Sequence, residues 1–139
     1  MTEGTNTQLI RQTYEHISAG NIQAFLSLLA GDVEWHVPEM GGVPFSGKWR
    51  GREEVRRFFD IVADVQEVIE FVPEEFIAQA NQVVVLGRFA WHIRATGKTS
   101  RARWAHVWTV SGNQVARFRE YTDTAAVISA HSNDLHHTV

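Results

Sequence analysis

The segment Arg101-Ala102-Arg103-Trp104-Ala105-His106-Val107-Trp108-Thr109-Val110-Ser111-Gly112-Asn113-Gln114-Val115-Ala116-Arg117-Phe118-Arg119-Glu120-Tyr121-Thr122 decides the fold. Both of its arms alternate between apolar and polar side chains, the two-residue period of a half-buried strand. Ser111-Gly112-Asn113 between them is a turn of hairpin length. The first arm turns Trp104, His106, Trp108 and Val110 to one face and Arg101, Arg103, Val107 and Thr109 to the other. In the second, the arginines belong in water, which carries Ala116, Phe118 and Glu120 inward and Val115, Arg117, Arg119 and Tyr121 outward. A three-residue loop sets Phe118 opposite His106 and Glu120 opposite Trp104, with His106 and Glu120 as diagonal neighbours.

A carboxylate turned towards indole rings is the first functional signal. Desolvation disfavours its charged form, which makes Glu120 the candidate general acid or base, with His106 beside it to orient it or to polarise a substrate oxygen. A structural reading stands next to this one: Glu120 accepts hydrogen bonds from His106 or an indole N–H and holds the core in register. Phe89, Trp91 and Ile93 share the apolar face of the preceding segment, so Arg88, His92 and Arg94 point outward unless a bulge reverses them.

Upstream of this hairpin, segments 66–79 and 82–95 continue an antiparallel meander, broken at Ala80-Asn81 and Thr96-Gly97-Lys98. The first third reads helical. Leu9, Ile10, Thr13, Tyr14 and Ile17 recur at helix spacing, Gly20 stops that helix, and Asn21 caps a second one carrying Ile22, Phe25, Leu26 and Leu29. Val33-Glu34-Trp35-His36-Val37 alternates as a short strand ended by Pro38, with Val33, Trp35 and Val37 inward. Residues 39–51 read as a loop whose Val43, Phe45 and Trp49 are too apolar for surface filler. Val55, Phe58, Phe59 and Val62 make the stripe of a third helix, with Glu53 and Glu54 at the positive end of its dipole. A short helix over 124–131, capped by Thr122, Asp123 or Thr124, precedes a polar tail, 132–139, expected to fray. The fold class is therefore α+β: a curved mixed or antiparallel sheet with three helices of the N-terminal half packed on one face, plus a short C-terminal helix.

Composition narrows the function. The 139 residues are 44% hydrophobic and 21% charged, as in an ordinary globular domain, and no repeat or linker divides them, so residues 1–139 are expected to form one domain with a core over about 5–130. A net charge of −3 without a basic stripe argues against nucleic acid as a partner. No apolar run approaches the ~20 residues of a membrane span, and the start has no secretory pattern, so neither a membrane nor export is expected and the protein is read as cytoplasmic. There is no cysteine for a disulfide or a thiolate site. The histidines, His16, His36, His92, His106, His131, His136 and His137, show no spacing that marks a metal site, and no cofactor motif stands out. Gly41-Gly42, Gly47 and Gly51 read as turn glycines. Trp35, Trp91, Trp104 and Phe118, with Val37, Phe59 and Tyr14, either line an apolar cavity or fill a solid core. Asp123 sits at the cavity mouth or caps a helix.

Four strings resemble one group of proteins: Ser18-Ala19-Gly20-Asn21, Leu29-Ala30-Gly31-Asp32-Val33-Glu34-Trp35, Trp49-Arg50-Gly51-Arg52-Glu53 and Phe118-Arg119-Glu120-Tyr121-Thr122-Asp123-Thr124. Their order over about residues 5–130 resembles the SnoaL-like, ketosteroid-isomerase-like proteins of the nuclear-transport-factor-2-like superfamily. The resemblance implies a cone-shaped roll with an apolar pocket between sheet and helices, a small hydrophobic ligand or substrate, and a homodimer formed through the convex sheet face. That superfamily holds isomerases, polyketide cyclases, epoxide hydrolases and dehydratases beside members that only bind or scaffold.

The catalytic patterns of these groups separate when compared position by position. The Asp before Pro that serves ketosteroid isomerases as base is Val37-Pro38 here, and their helix-1 tyrosine falls nearest Thr13 or Tyr14. The Tyr-x-Asn of limonene epoxide hydrolases reads Trp35-x-Val37, and their Arg-x-Asp falls near Gly87-x-Phe89 or Arg88-x-Ala90. SnoaL-type cyclases, with one carboxylate in an apolar pocket and no cofactor, resemble the chain better, with Glu120 or else Asp123 in that role. The resemblance thus implies a cofactor-independent isomerase or cyclase doing proton transfer on a hydrophobic carbonyl compound. The alternative is a non-catalytic hydrophobic-ligand-binding protein or dimeric scaffold of the same fold.

Overall fold

The Thr2 hydroxyl accepts the Thr5 amide and so starts α1, Glu3–Ala19, which ends where Gly20 turns left-handed at φ 75°. The structure, a computed structural model, describes residues 2–133; most of the polar tail lies outside the described residues. Asn21 holds the cap position of α2, Ile22–Ser27, but through its carbonyl, which accepts the Phe25 amide, and not through its side chain as the sequence suggests.

β1, Leu29–Val37, begins four residues earlier than its alternation predicts, because Leu29 already pairs with Val115. The expected loop after it contains a further strand, β2, Gly47–Arg50, which sets Trp49 opposite Trp35. Four residues among glycines carry too little periodicity to be read. Val43 and Phe45 of that loop are buried. α3, Gly51–Val65, follows at once, with the Glu54 carboxylate accepting the Arg50 amide at 2.8 Å, and buries Val55 and Phe58. The rest is a meander of β3, Gln66–Gln79, β4, Gln82–Ile93, β5, Thr99–Ser111, and β6, Gln114–Thr122. Asp123 then caps α4, Thr124–His131.

The six strands form one open sheet in the order β2-β1-β6-β5-β4-β3. β1 joins β6 in parallel and every other pair is antiparallel, so the sheet is mixed. α1 packs on β3 and β4, and α3 on β1 and β2. Between them lies one continuous core in which Trp35, Trp104, Trp108 and Phe118 are each at most 4% exposed.

The decisive hairpin differs from its expected register. Gly112 and Asn113 both have positive φ, 57° and 66°, so the turn has two residues and Ser111 pairs with Gln114. Ala116 is then left without a partner as a β-bulge between the Val110–Val115 and Thr109–Arg117 pairs. Val115, not Ala116, faces inward and is fully buried. Past the bulge His106 lies directly opposite Glu120, Trp104 opposite Thr122, and Trp108 opposite Phe118.

On the sheet face turned away from the helices, Arg88 bridges Glu70 and Glu74, Arg101 joins Glu70, and Arg103 joins Glu74. Arg88 therefore points away from the core, and His92 alternates onto the same side as Arg88.

Candidate functional site

α1 turns Ile10, Thr13 and Tyr14 into the core, and β5 turns Trp104, His106 and Trp108 towards them. The Tyr14 ring lies 5.9 Å from that of His106 and 5.4 Å from that of Trp108. A chain of polar groups runs through this apolar interior. The Trp108 Nε1–H donates to the Tyr14 hydroxyl oxygen at 2.9 Å. That oxygen is 2.7 Å from His106 Nδ1, and His106 Nε2 is 3.0 Å from Glu120 Oε2.

Glu120 is the outer end of the chain: its side chain is 16% exposed, against 4% for His106. Burial pushes the Tyr14 pKa well above the usual tyrosine range, opposed by the hydrogen bond from Trp108 and reinforced by the Glu120 charge. Burial also holds the His106 pKa below that of a free imidazole, although the carboxylate of Glu120 pulls the other way. Both residues are thus neutral near pH 7, and the buried chain carries no net positive charge.

Rings enclose the dyad. Trp104 stacks on His106 with centroids 3.8 Å apart, Phe71 stacks on Trp104 at 5.0 Å, and Phe118 meets His106 edge-on at 4.7 Å. Trp35 stacks on Phe118 at 3.9 Å and packs against Phe59 at 5.6 Å. Val37, two residues beyond Trp35, is buried on the same face. The indole N–H groups of Trp35 and Trp104 are buried without an acceptor among the described residues. Gly87 lies opposite Trp104, and a Cβ there would overlap both its ring and the Val72 carbonyl oxygen.

The residues singled out in the sequence do not all meet. Glu120, His106, Tyr14, Trp104 and Phe118 form one group, which Trp35, Val37 and Phe59 extend towards α3. Trp91 is half-buried and touches the group through Phe71, 6.3 Å away. Asp123 is exposed, its carboxylate accepting the Ala126 amide, so it caps α4 outside the core. The sequence reading missed the Trp108 indole as a hydrogen-bond donor; alternation places it inward but does not reveal that α1 brings a hydroxyl to it.

The rings that the sequence reading assigns to a pocket lining stack on one another. Open depressions lie elsewhere, one of about 600 Å³ between the start of α1 and the two hairpin turns, another of about 300 Å³ on the outer sheet face beside Leu86, Ala105 and Tyr121. Among the described residues no three His, Asp or Glu side chains come together as a metal site, and no helix is long and apolar enough to cross a membrane.

Comparison with known proteins gives one consistent answer. The SnoaL-like domain family matches residues 10–118. Uncharacterised proteins of Mycobacterium bovis and Mycobacterium tuberculosis are 28% identical over 133 residues, 93% of this chain and 98% of theirs. The crystal structure of an NTF2-like protein from Burkholderia xenovorans LB400 superposes with a TM-score of 0.87 at 28% identity, covering 95% of this chain and 99% of that one. TerC, co-crystallised with polyporic acid, superposes with a TM-score of 0.81 at 29% identity, covering 91% and 98%.

Proposed function

The chain belongs to the SnoaL-like domain family, and from that membership we propose a cofactor-independent enzyme of the isomerase or cyclase type that moves a proton on a small hydrophobic carbonyl compound. The observation that carries this reading is the Glu120 carboxylate, mostly buried among aromatic rings and held by His106 at 3.0 Å. In the reaction a Glu120 oxygen takes a proton from the carbon next to the carbonyl, the C–H electron pair becomes the C=C bond of an enolate, and the carbonyl π pair moves onto oxygen. Glu120 then returns the proton to carbon. The indole N–H groups of Trp35 and Trp104, which have no acceptor among the described residues, supply donors of the kind an enolate oxygen needs. The exposed edge of Glu120 gives the route of approach. That TerC holds polyporic acid supports a small organic molecule as occupant.

The whole chain is read as one domain, cytoplasmic, working as a homodimer. Ile77 and Tyr121, 49% and 52% exposed on the sheet face away from the helices, are apolar surface that a second copy would cover.

The close stacking of the rings favours a second reading, a ligand-binding or scaffold protein with the same interior and no turnover. A panel of aromatic ketones in D₂O separates the two. Glu120-dependent exchange of the proton next to the carbonyl, falling about 10²–10⁴-fold in Glu120→Gln, is expected of the enzyme. Exchange that Glu120→Gln leaves unchanged sinks the catalytic reading.

A further inference from the structure

We propose that Trp108 and Tyr14 fix the direction of every hydrogen bond in the chain ending at Glu120, so that His106 is held as the Nε2–H tautomer and leaves Oε1 as the oxygen that meets substrate. This rests on the proton-transfer reading above and decides between the two roles open to His106: it orients the carboxylate and does not touch the substrate oxygen.

The direction follows from one end of the chain. An indole N–H can only donate, so the 2.9 Å contact makes the Tyr14 oxygen an acceptor from Trp108. The proton of Tyr14 then points away from Trp108. Among the described residues its remaining partner is His106 Nδ1 at 2.7 Å. A nitrogen that accepts carries no proton, so the neutral imidazole bears its hydrogen on Nε2, 3.0 Å from Glu120 Oε2. The reverse order puts two donors on the Tyr14 oxygen and leaves the tyrosine proton facing Phe71, Phe76 and Trp104, a buried donor without a partner.

The surroundings agree. Among the described residues the titratable groups facing the His106 ring are Tyr14 from α1 and Glu120 from β6. Val85 lies opposite it on β4, and Phe71 of β3 and Trp104 and Trp108 of β5 are uncharged. Burial keeps both His106 and Tyr14 neutral. The chemical consequence is that a proton taken up on Oε1 has no acceptor behind the carboxylate, because the nitrogen there already carries one. Tyr14 and Trp108 are therefore positioning residues.

Long-range ¹H–¹⁵N spectra of the full-length ¹⁵N-labelled protein, with His106 assigned by His106→Gln, test this without any ligand. The expected result is the neutral Nε2–H tautomer at neutral pH, in a ring that titrates below a free imidazole. In Tyr14→Phe the neutral ring loses its donor, so its titration is expected to move up by as much as about one pH unit. In Trp108→Phe the hydroxyl of Tyr14 is free to turn, and both tautomers are expected. An Nδ1–H tautomer or an imidazolium in the wild type at neutral pH overturns the proposal, as does a pair of variants that both leave His106 unchanged. If the variants do not fold, the wild-type tautomer alone decides. Absence of ketone exchange alongside an Nε2–H tautomer counts against the enzyme reading and not against this one.

Discussion

His106 and Glu120 face each other as a directly opposed pair across β5 and β6, with Nε2 of the one 3.0 Å from Oε2 of the other. Two local features set this relation, the left-handed Gly112-Asn113 turn and the bulge at Ala116. The bulge places an extra residue in β6, so that Val115 as well as Phe118 and Glu120 reaches the interior.

Inserting a residue in β6 beyond the bulge is therefore more damaging than losing the carboxylate. Glu120→Gln keeps an oxygen for the His106 donor and is expected to alter stability by less than about 1.5 kcal/mol. An alanine inserted between Arg117 and Phe118 turns Phe118 and Glu120 to the opposite face and is expected to prevent folding. Far-ultraviolet circular dichroism and urea unfolding of the two variants compare these outcomes.

His106 gives stability a defined pH dependence. Its folded pKa lies below its unfolded value, so the unfolded chain takes up a proton first as pH falls. The contribution of the neutral ring is fully present above about pH 6.5 and is lost below it, with a slope of at most about 1.4 kcal/mol per pH unit. Urea unfolding at a series of pH values is expected to show this slope in the wild type and a shallower one in His106→Gln. Parallel curves for the two proteins contradict it.

Gly87 is a packing requirement. A Cβ at this position meets the Trp104 ring and the Val72 carbonyl, both fixed within the sheet. Gly87→Ala is expected to cost roughly 1–3 kcal/mol, the range of overpacked cores, and to lift Trp104 off His106. Tryptophan fluorescence and thermal unfolding report both effects. An unchanged melting temperature would mean that β4 yields more easily than its pairing with β3 and β5 indicates.

The outer sheet face carries the dimer proposal. Sedimentation of the wild type is expected to give twice the chain mass, and Ile77→Lys with Tyr121→Lys to give the chain mass with the fold intact. A wild-type monomer at micromolar concentration removes the homodimer from the reading.

Much of this architecture was legible because strands with one buried face write their period into the sequence. Trp104, His106 and Trp108 alternate inward as read, and the arginines of β6 turn outward as read. The register was not legible. Ser111-Gly112-Asn113 is compatible with a turn of two or three residues, and alternation passes through Ala116 without a mark, so the sequence sets Glu120 opposite Trp104, two residues along β5 from its partner His106. β2 was lost because its four residues pair with β1 at long range and repeat nothing locally. At the site, a glutamate among tryptophans was a visible anomaly. The hydroxyl of Tyr14 was not, since its partner His106 is reached only when α1 lies across the sheet.

The parallel pairing of β1 with β6 also sets a schedule for folding. Trp35 stacks on Phe118, yet the two belong to opposite ends of the chain, and β1 has only the short β2 beside it until β6 exists. At ordinary rates of synthesis that interval is on the order of ten seconds on the ribosome. During it the indole of Trp35 and the β1 edge that β6 will occupy stand open to other nascent chains, a contact-order penalty that falls on the early strand and ends only as the last strand emerges.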